Sequence, residues 1–223
     1  MILGDYTWAE WFAIQDGFAN YRGPAKPDGP VVSRYNIKPT NQHPIFHQDA
    51  SGTHQTDASW WFVPHWFKGG LKDWKATTFN ARIETAHEKP VFRTAWISGR
   101  CIVPITGYYE WTGPKGNKQP WVISVKQNNP IFFFAGLWST LSSGTSTFTI
   151  LTRSADTKIE HIHDRMPVIL NIDEVEGWLD HSADDDEVIE TFGTGWGEQL
   201  SGYQVAKFGM KDDGPEMIVP LSV

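Results

Sequence analysis

Short apolar runs separated by turn residues make up most of the chain and predict a protein built mainly from strands. Runs of β-type composition occur at QHPIFH, SWWFV, CIVPITGYYEW, WVISV, IFFFAGLW, TFTILT and MPVIL. Between them lie GPKGNKQP, QNNP and SSGTS, which have the residues and the lengths of hairpin turns. This pattern predicts an α+β fold whose core is a curled, mostly antiparallel β-sheet.

Helical periodicity is confined to a few segments, which we expect at the periphery of the sheet. Near the N-terminus, Thr7 and Glu10 have the spacing of a capping box, and apolar residues follow at helical intervals. Later helical patterns are FRTAWISG, SADTKIEHI, DEVEGWL and DDDEVIETF. The stretch YRGPAKPDGP is typical of a loop.

Length and composition favour a single domain over residues 1–223. A chain of 223 residues, 40% of them hydrophobic, is long enough for one compact core. Its longest apolar runs fall short of the about 20 residues that a membrane helix needs, and MILGDYTW lacks the features of a signal peptide. Cys101 is the one cysteine, which excludes an internal disulfide, so we expect a cytoplasmic protein.

The net charge of -7 taken alone argues against a nucleic-acid partner. However, residues 171–223 hold 13 acidic and 2 basic side chains, so this C-terminal part carries -11. The other 170 residues hold 17 basic and 13 acidic side chains, or +4. The acidic stretch SADDDEVIE is typical of a solvated helix start. What remains is a mildly basic body with 12 tryptophans, some of which could stack on bases.

Two kinds of segment carry candidate chemistry, and the first is a polar strand face. TTFNARIETA places Asn80, Arg82 and Glu84 at alternate positions. If this segment is extended, all three side chains lie on one face, opposite Phe79 and Ile83. Such a face could bind a polar ligand, although a surface ion pair is the simpler alternative.

The second kind is a titratable group at a strand end. GYYEW places Glu110 at the end of an apolar strand, where partial desolvation would raise its pKa towards that of a general acid or base. HIHDRMP offers His163 as a proton shuttle beside Arg165, which could hold a phosphate. For each segment by itself, a capped strand end remains an alternative.

Other possible motifs are excluded by their spacing or by the elements that flank them. GPKGNK lacks the spacing of a P-loop and joins two strands, and no G-x-S-x-G elbow is present, so neither a phosphate cradle nor an α/β-type serine hydrolase is predicted. The residues that might bind a metal match no standard zinc signature: His43, His47, Cys101, His161 and His163. We therefore expect no metal and no cofactor.

The ordered segments RYNIKPT, WWFVPHWF, NARIETA, GYYEW, FAGLWS and IHDRMPVIL resemble the SRAP family, the SOS response-associated peptidases now understood as abasic-site processing proteins. The resemblance runs from about Arg34 to Leu170, and a weaker similarity extends to MIVPLSV. It implies a barrel-like fold and a monomer that binds single-stranded DNA, or a single-strand/double-strand junction, and captures an abasic site. Such a protein would be nucleoid-associated when bound to DNA.

The resemblance also implies roles for individual residues. His163 would help to open the deoxyribose ring, Glu110 would move protons during condensation and reversal, and Asn80 would orient the nucleophile and the sugar. The residues that the resemblance assigns to DNA binding are Arg82 and Arg165 on flanking phosphates, Trp66 and Phe67 against bases, and Pro39 and Thr152.

One departure from the family concerns the nucleophile. Family members begin Met-Cys-Gly-Arg and expose an N-terminal cysteine, whose amine and thiol condense with the sugar aldehyde into a thiazolidine crosslink. This chain begins MILG, with Ile2 in place of that cysteine, and the internal Cys101 has no free α-amine. Either the true start lies upstream or the chain is a paralogue without the crosslinking step. The persistence of Asn80, Glu110 and His163 favours an upstream start.

Three functional hypotheses follow. The chain's own α-amine, with an ordinary pKa of about 8, could form an imine with the aldehyde and promote strand cleavage by β-elimination. Alternatively, the protein is a non-catalytic module that binds single-stranded or junction DNA. A peptidase acting on other proteins is the third hypothesis, and no independent protease motif supports it.

Overall fold

The computed structural model describes residues 1–18, 21–22, 33–125, 130–194 and 200–222. The predicted loop YRGPAKPDGP, except for its first two residues, and the QNNP turn, except for its proline, lie outside the described residues.

Strands account for most of the described structure, as the sequence predicts. The strands are β1 (Ile2–Gly4), β2 (Arg34–Ile37), β3 (Gln42–Asp49), β4 (Gly52–Trp60), β5 (Asn80–Arg82), β6 (Arg100–Ile105), β7 (Gly107–Thr112), β8 (Gln119–Val125), β9 (Phe132–Thr140), β10 (Ser146–Ser154), β11 (Arg165–Pro167), β12 (Ile169–Leu170) and β13 (Leu200–Gln204). The α-helices are α1 (Trp8–Gly17), α2 (Ile83–Ala86), α3 (Arg93–Ser98), α4 (Ile172–Leu179) and α5 (Asp185–Phe192). Short 3-10 helices cover Leu71–Asp73 and Pro215–Ile218.

The strands form two sheets. The first has five strands in the order β13-β8-β7-β1-β2, all paired antiparallel. In the second, the path β10-β4-β3-β6-β9 returns to β10, because β9 and β10 are also paired. This sheet therefore closes on itself, and its pairings are antiparallel except where β10 runs parallel to β4 and β5. The curled, mostly antiparallel core and the α+β class are as predicted.

Two large apolar clusters hold these layers together. In one, Ile2 and Tyr108 of the first sheet pack with Phe134 and Ile150 of the second. In the other, the helices cover the second sheet, and Trp178 of α4 is a central member. Burial of so many aromatic and aliphatic side chains is the main driving force for this arrangement.

Most of the predicted helices are present. Helix α1 begins at the predicted capping box, in which the Thr7 N–H donates to Glu10 Oε2 and the Glu10 N–H donates to Thr7 Oγ1. The helical patterns FRTAWISG, DEVEGWL and DDDEVIETF correspond to α3, α4 and α5. None of the described helices is long and apolar enough for a membrane span.

The prediction of a helix at SADTKIEHI is wrong. Ser154 ends β10, and the residues that follow it form turns before β11, with bonds such as Ile159 N–H to Asp156 O at 2.9 Å. The two ends of the segment are held together, because the Ala155 N–H donates to Asp164 O at 2.9 Å. A helix rising about 1.5 Å per residue would separate those ends.

Two strand predictions also need correction. β4 ends at Trp60, so the rest of SWWFV leaves the ladder, and the Val63 N–H donates to Thr147 Oγ1 instead. In TTFNARIETA, the extended conformation stops at Arg82, and α2 begins at Ile83. Glu84 therefore does not continue the alternation of Asn80 and Arg82; burial of Ile83 and Ala86 at helical spacing turns the chain here.

Candidate functional site

A cavity of about 430 Å³ lies where the two sheets meet. Tyr108 and Glu110 of β7 line it from the first sheet, next to Met1. Asn80 of β5 lines it from the second sheet, and His163 lines it from the turn before β11. The three residues predicted as catalytic, far apart in the sequence, thus border one space of a size suited to a sugar phosphate.

Glu110 lies in β7, opposite Trp121 of β8. Burial raises the pKa of its carboxyl, and the nearby His163 and the N-terminal amine act to lower it. The direction of this shift agrees with the expectation from the sequence. A carboxyl with a raised pKa can both donate and accept protons closer to neutral pH than an exposed glutamate can.

His163 lies at the end of the turn segment, immediately before β11. Its Nδ1 lies 3.0 Å from the nitrogen of the Arg165 N–H, 3.1 Å from Arg165 O and 3.2 Å from Asp164 Oδ1, so its role as acceptor or donor depends on the tautomer. When Nδ1 accepts from this N–H, the proton of the neutral ring is on Nε2. The side chain is about half exposed, so solvent and a ligand can both reach it.

Asn80 and Arg82 are exposed on β5, on either side of the buried Ala81. β5 is held by parallel pairing to β10, with Asn80 opposite Ile150 and Arg82 opposite Thr152. Both side chains line the cavity. No described residue forms a salt bridge with Arg82, although its charge helps to lower the pKa of the nearby Glu84.

Arg165 also lines the cavity, but its guanidinium is already engaged. Nη1 and Nη2 donate to the two carboxylate oxygens of Glu84 at 2.7 and 2.9 Å. Nη2 also donates to the backbone oxygen of Thr152 at 2.6 Å. Thr152 lines the cavity as well, and its hydroxyl donates to Ala81 O at 3.2 Å.

The α-amine of Met1 belongs to the same site. β1 is fixed between β2 and β7, and the Tyr109 N–H donates to Met1 O at 2.8 Å. Burial lowers the pKa of the amine from 8.0 to about 6, and the negative charge of Glu110 acts in the opposite direction. Burial thus favours the neutral form of the amine, which is the nucleophilic form.

Three of the predicted DNA-binding residues lie away from the cavity. Trp66, 47% exposed, and Phe67 lie in the loop after β4, and both pack edge-on against Trp74 at 6.3 and 5.0 Å. Pro39 lies in the turn between β2 and β3, which is attached to the cavity wall because the Thr40 N–H donates to Trp60 O at 2.8 Å. None of the three lines the cavity.

The sequence reasoning missed Tyr108. It precedes Glu110 by two residues in the same strand, so both side chains lie on one face, a relation that the alternation of GYYEW contains. Its hydroxyl is buried and meets no hydrogen-bond partner among the described residues. Burial strongly raises its pKa, so the hydroxyl stays a donor.

Ile2 has a structural role at the position where the resemblance expects the nucleophilic cysteine. Its side chain is 2% exposed, and Ile37 and Tyr108 lie opposite it on the neighbouring strands. Cys101 is buried elsewhere, and burial raises its pKa well above the usual value. The sequence as it stands therefore brings an amine but no thiol to the cavity.

Of the candidate metal ligands, His47 and Cys101 lie opposite each other on β3 and β6. His43 is buried with Nε2 2.8 Å from Pro104 O, and His47 stacks on Trp138 at 3.9 Å. Within the described ranges, no three His, Cys, Asp or Glu side chains are arranged to hold a metal ion.

Comparison with known proteins identifies the family. The sequence model of the family described as SOS response associated peptidase (SRAP) matches residues 7–208 of this chain. The chain belongs to the SRAP family. Among its relatives, the abasic site processing protein YoqW of Bacillus subtilis is 34% identical over 201 residues, which cover 86% of this chain and 88% of YoqW. The abasic site processing protein YedK of Escherichia coli is 28% identical, covering 87% of each chain.

The similar proteins include a eukaryotic protein and a protein with a known crystal structure. The abasic site processing protein HMCES of Gallus gallus is 29% identical, covering 88% of this chain and 68% of HMCES. An X-ray crystal structure of a protein from Bacteroides thetaiotaomicron superimposes with a TM-score of 0.71 at 29% identity, covering 82% of each chain. These likenesses agree with the closed, strand-rich SRAP architecture described above.

Proposed function

We propose that this SRAP protein processes abasic sites in DNA and that the cavity receives the ring-opened deoxyribose. The observation that carries the proposal is the convergence of Glu110, His163, Asn80 and the Met1 α-amine on one cavity. A nucleophilic amine beside two proton-transfer groups is what condensation with an aldehyde requires. The names of the relatives, all abasic site processing proteins, support the same substrate.

In a chain that begins at Met1, the nucleophile is the α-amine alone. Its lone pair attacks C1′ of the open sugar to give a carbinolamine. The hydroxyl of the carbinolamine takes up one proton and leaves as water, and the nitrogen loses one proton. The product is an imine. Glu110 supplies the proton that leaves with the hydroxyl, and His163 exchanges protons at the ring oxygen during opening. Asn80 orients the sugar.

The imine gives access to strand cleavage. Loss of a proton from C2′ of the imine expels the 3′ phosphate by β-elimination. Without a thiol at position 2, the imine cannot be trapped as a thiazolidine, so this protein would form a shorter-lived adduct than the family's N-terminal cysteine gives.

The proposed DNA partner is single-stranded DNA or a single-strand/double-strand junction. The exposed Arg82, which lines the cavity, would meet a phosphate, and the exposed Trp66 with Phe67 would contact bases beside the abasic site. Splayed bases stack readily on exposed aromatic rings, whereas bases inside a duplex are already stacked.

Borohydride trapping tests the proposal. The protein is incubated with a single-stranded oligonucleotide that contains one abasic site, and the imine is reduced to a stable adduct. We expect an adduct whose mass maps to the α-amine of Met1. An oligonucleotide with a tetrahydrofuran analogue, which has no aldehyde, should bind without forming an adduct. Glu110→Gln and His163→Ala should form adducts at least about 10-fold more slowly while retaining DNA affinity.

The burial of Ile2 favours a second candidate, a DNA-binding protein without covalent chemistry. In that case abasic DNA would bind with no trapped adduct, and Glu110→Gln would have no kinetic effect to measure. That result would contradict the catalytic proposal and leave the binding function standing.

A further inference from the structure

A buried ion pair lies at the start of the segment that carries His163. The side chains of Arg153, in β10, and Asp156 are only 5% and 14% exposed. Arg153 Nη2 donates to Asp156 Oδ2 at 2.8 Å, and Nη1 donates to the backbone oxygen of Ser154 at 3.0 Å. Two charges taken out of water need such close and directional partners, and removal of one partner alone is strongly unfavourable. The pair therefore fixes the chain where it leaves the second sheet.

Asp156 also begins the turns of residues 155–164, which we call the turn segment. Its backbone oxygen accepts from two N–H groups of this segment, both at 2.9 Å. The Ala155 N–H donates to Asp164 O, also at 2.9 Å, and closes the segment into a loop. Asp156 thus anchors the turn segment to β10 by its carboxylate and shapes the turns by its carbonyl.

The middle of the turn segment reaches across to the first sheet. Ile159 and Ile162 are 2% and 6% exposed and belong to the apolar cluster that the two sheets share. Ile162 lies against Gly202 of β13, where a Cβ atom would come within 3.1 Å of Ile162 Cδ1. His161 packs edge-on against Trp121 of β8, with 5.7 Å between the ring centroids. The turn segment is therefore attached to the second sheet at its ends and to the first sheet in its middle.

These contacts relate His163 to Glu110. Trp121, which His161 contacts, is paired with Glu110 in the ladder of β7 and β8. His163 follows two residues after His161 and lines the same cavity as Glu110. Burial raises the pKa of the Glu110 carboxyl, and the imidazole of His163 acts to lower it, so the two groups are close enough to interact electrostatically. The distance between these two proton-transfer groups therefore depends on where the turn segment lies.

We infer that Arg153 and Asp156 are positioning residues: their ion pair fixes the turn segment against both sheets and thereby holds His163 beside Glu110. Neither Arg153 nor Asp156 lines the cavity, so both act on the reaction through His163. This inference rests on the proposed abasic-site function and adds to it a buried pair to which the sequence analysis gave no role.

The first test is the rate of adduct formation at saturating abasic DNA. Asp156→Asn leaves the charge of Arg153 buried without its carboxylate. Because an unpaired buried charge strongly destabilises a protein, a second variant removes both charges, Arg153→Met with Asp156→Asn. Each variant should lower the rate by roughly 10- to 100-fold, with little change in the DNA concentration that gives half the maximal rate. Arg153→Lys keeps a cation for Asp156 and should lose less of the rate than Arg153→Met.

Glu160→Gln is the matched control for the carboxylate. Glu160 is an exposed acid in the same turn segment, and its substitution should leave the adduct rate unchanged. Urea titration shows whether each variant is folded. If the folded double variant keeps the unsubstituted rate, or loses rate only through weaker DNA binding, the ion pair does not position His163.

The second test measures the interaction between His163 and Glu110 and needs no DNA. The pKa of the Glu110 carboxyl is followed by ¹³C NMR with and without His163→Ala. Because the imidazole acts to lower this pKa, His163→Ala should raise it when the ion pair is intact. In the double variant Arg153→Met with Asp156→Asn, the same substitution should change the pKa by less than about half as much, since His163 is no longer held in place.

The other groups that act on Glu110 do not differ in this comparison. The Met1 amine, Lys118 and Asp164 are present in all four proteins. Equal pKa changes with and without the ion pair would overturn the inference. If the unsubstituted protein forms no adduct at all, the proposed function fails, and the interaction between His163 and Glu110 alone decides the inference.

Discussion

At the scale of single residues, burial changes the titration of the group just before β1, the α-amine of Met1. β1 inserts between two strands and brings the α-amine next to Glu110 in the cavity. An α-amine in water is mostly protonated at neutral pH, but burial here favours the neutral form. The position of the group in the sheet, not its residue type, gives it this property.

The pH dependence of adduct formation should report this shift. With its pKa lowered to about 6, the amine loses its proton as the pH rises through that value, so the trapping rate should rise between pH 5 and 7 and then level off. The midpoint can be measured independently by NMR of the amine carrying ¹³C-methyl groups. A tetrapeptide with the sequence MILG is the control and should titrate near pH 8. The same midpoint in the protein and the peptide would contradict the burial of the amine.

At the scale of secondary-structure elements, Arg100 connects the sheet to the helices that cover it. Its side chain is 1% exposed, and its guanidinium lies 5.5 Å from the ring centroids of both Trp96 and Trp178. It donates from Nε to Trp96 O at 3.1 Å and from Nη1 to Asp180 O at 2.9 Å. One side chain of β6 thereby binds the C-terminal halves of α3 and α4, whose carbonyls attract a cation.

Replacing Arg100 by methionine should destabilise the protein by about 2–4 kcal/mol, because buried carbonyl oxygens of both helices lose their donor. The free energy of unfolding from urea titration measures this loss. Arg93→Met, at an exposed position in α3, is the control and should change stability by less than about 0.5 kcal/mol. A small effect at Arg100 would mean that other donors or water satisfy these carbonyls.

Individual elements also show where local sequence is sufficient. The capping box of α1 and the glycine-containing hairpin turns GPKGNKQP and SSGTS depend on neighbouring residues only, and the structure has them where the sequence predicts them. The helix predicted at SADTKIEHI does not form, because contacts between its ends compete with local propensity. The same is true at Glu84, where burial of Ile83 ends the predicted extended face.

At the scale of the whole molecule, burial of histidine couples folding to pH. His43 is 3% exposed, and burial lowers its pKa from 6.5 to about 4, although its hydrogen bond to Pro104 O acts in the opposite direction. Burial also lowers the pKa of His47 to about 4. Between pH 6.5 and about 4, both side chains are therefore neutral in the folded protein, whereas the same two histidines are mostly protonated in the unfolded chain.

Stability should therefore fall as the pH drops from 6.5 to 4. In this range the unfolded state binds a proton at position 43 and the folded state does not, so His43 accounts for a loss of roughly 3 kcal/mol by pH 4. Urea titrations at pH 7 and pH 4.5 measure the change, which should be smaller in His43→Gln. His65→Gln, at an exposed position, is the control and should keep the full pH dependence. An unchanged slope in His43→Gln would show that His43 is not the coupled group.

The sequence by itself determined the elements and the candidate chemistry of this protein. Apolar runs with period two, turn residues and capping boxes act over a few neighbouring positions, so the strands, most helices and the α+β class were predictable. The ordered motifs around Asn80, Glu110 and His163 predicted the family, which the match over residues 7–208 confirmed.

Only the tertiary structure decided which groups meet. The closure of the second sheet through β9 and β10, the parallel pairing of β5 with β10 and the insertion of β1 beside β7 are contacts between distant parts of the chain. They place the Met1 amine beside Glu110 and bring Arg165 into an ion pair with Glu84. No local pattern encodes such pairings, because each depends on the summed packing energy of the complete fold.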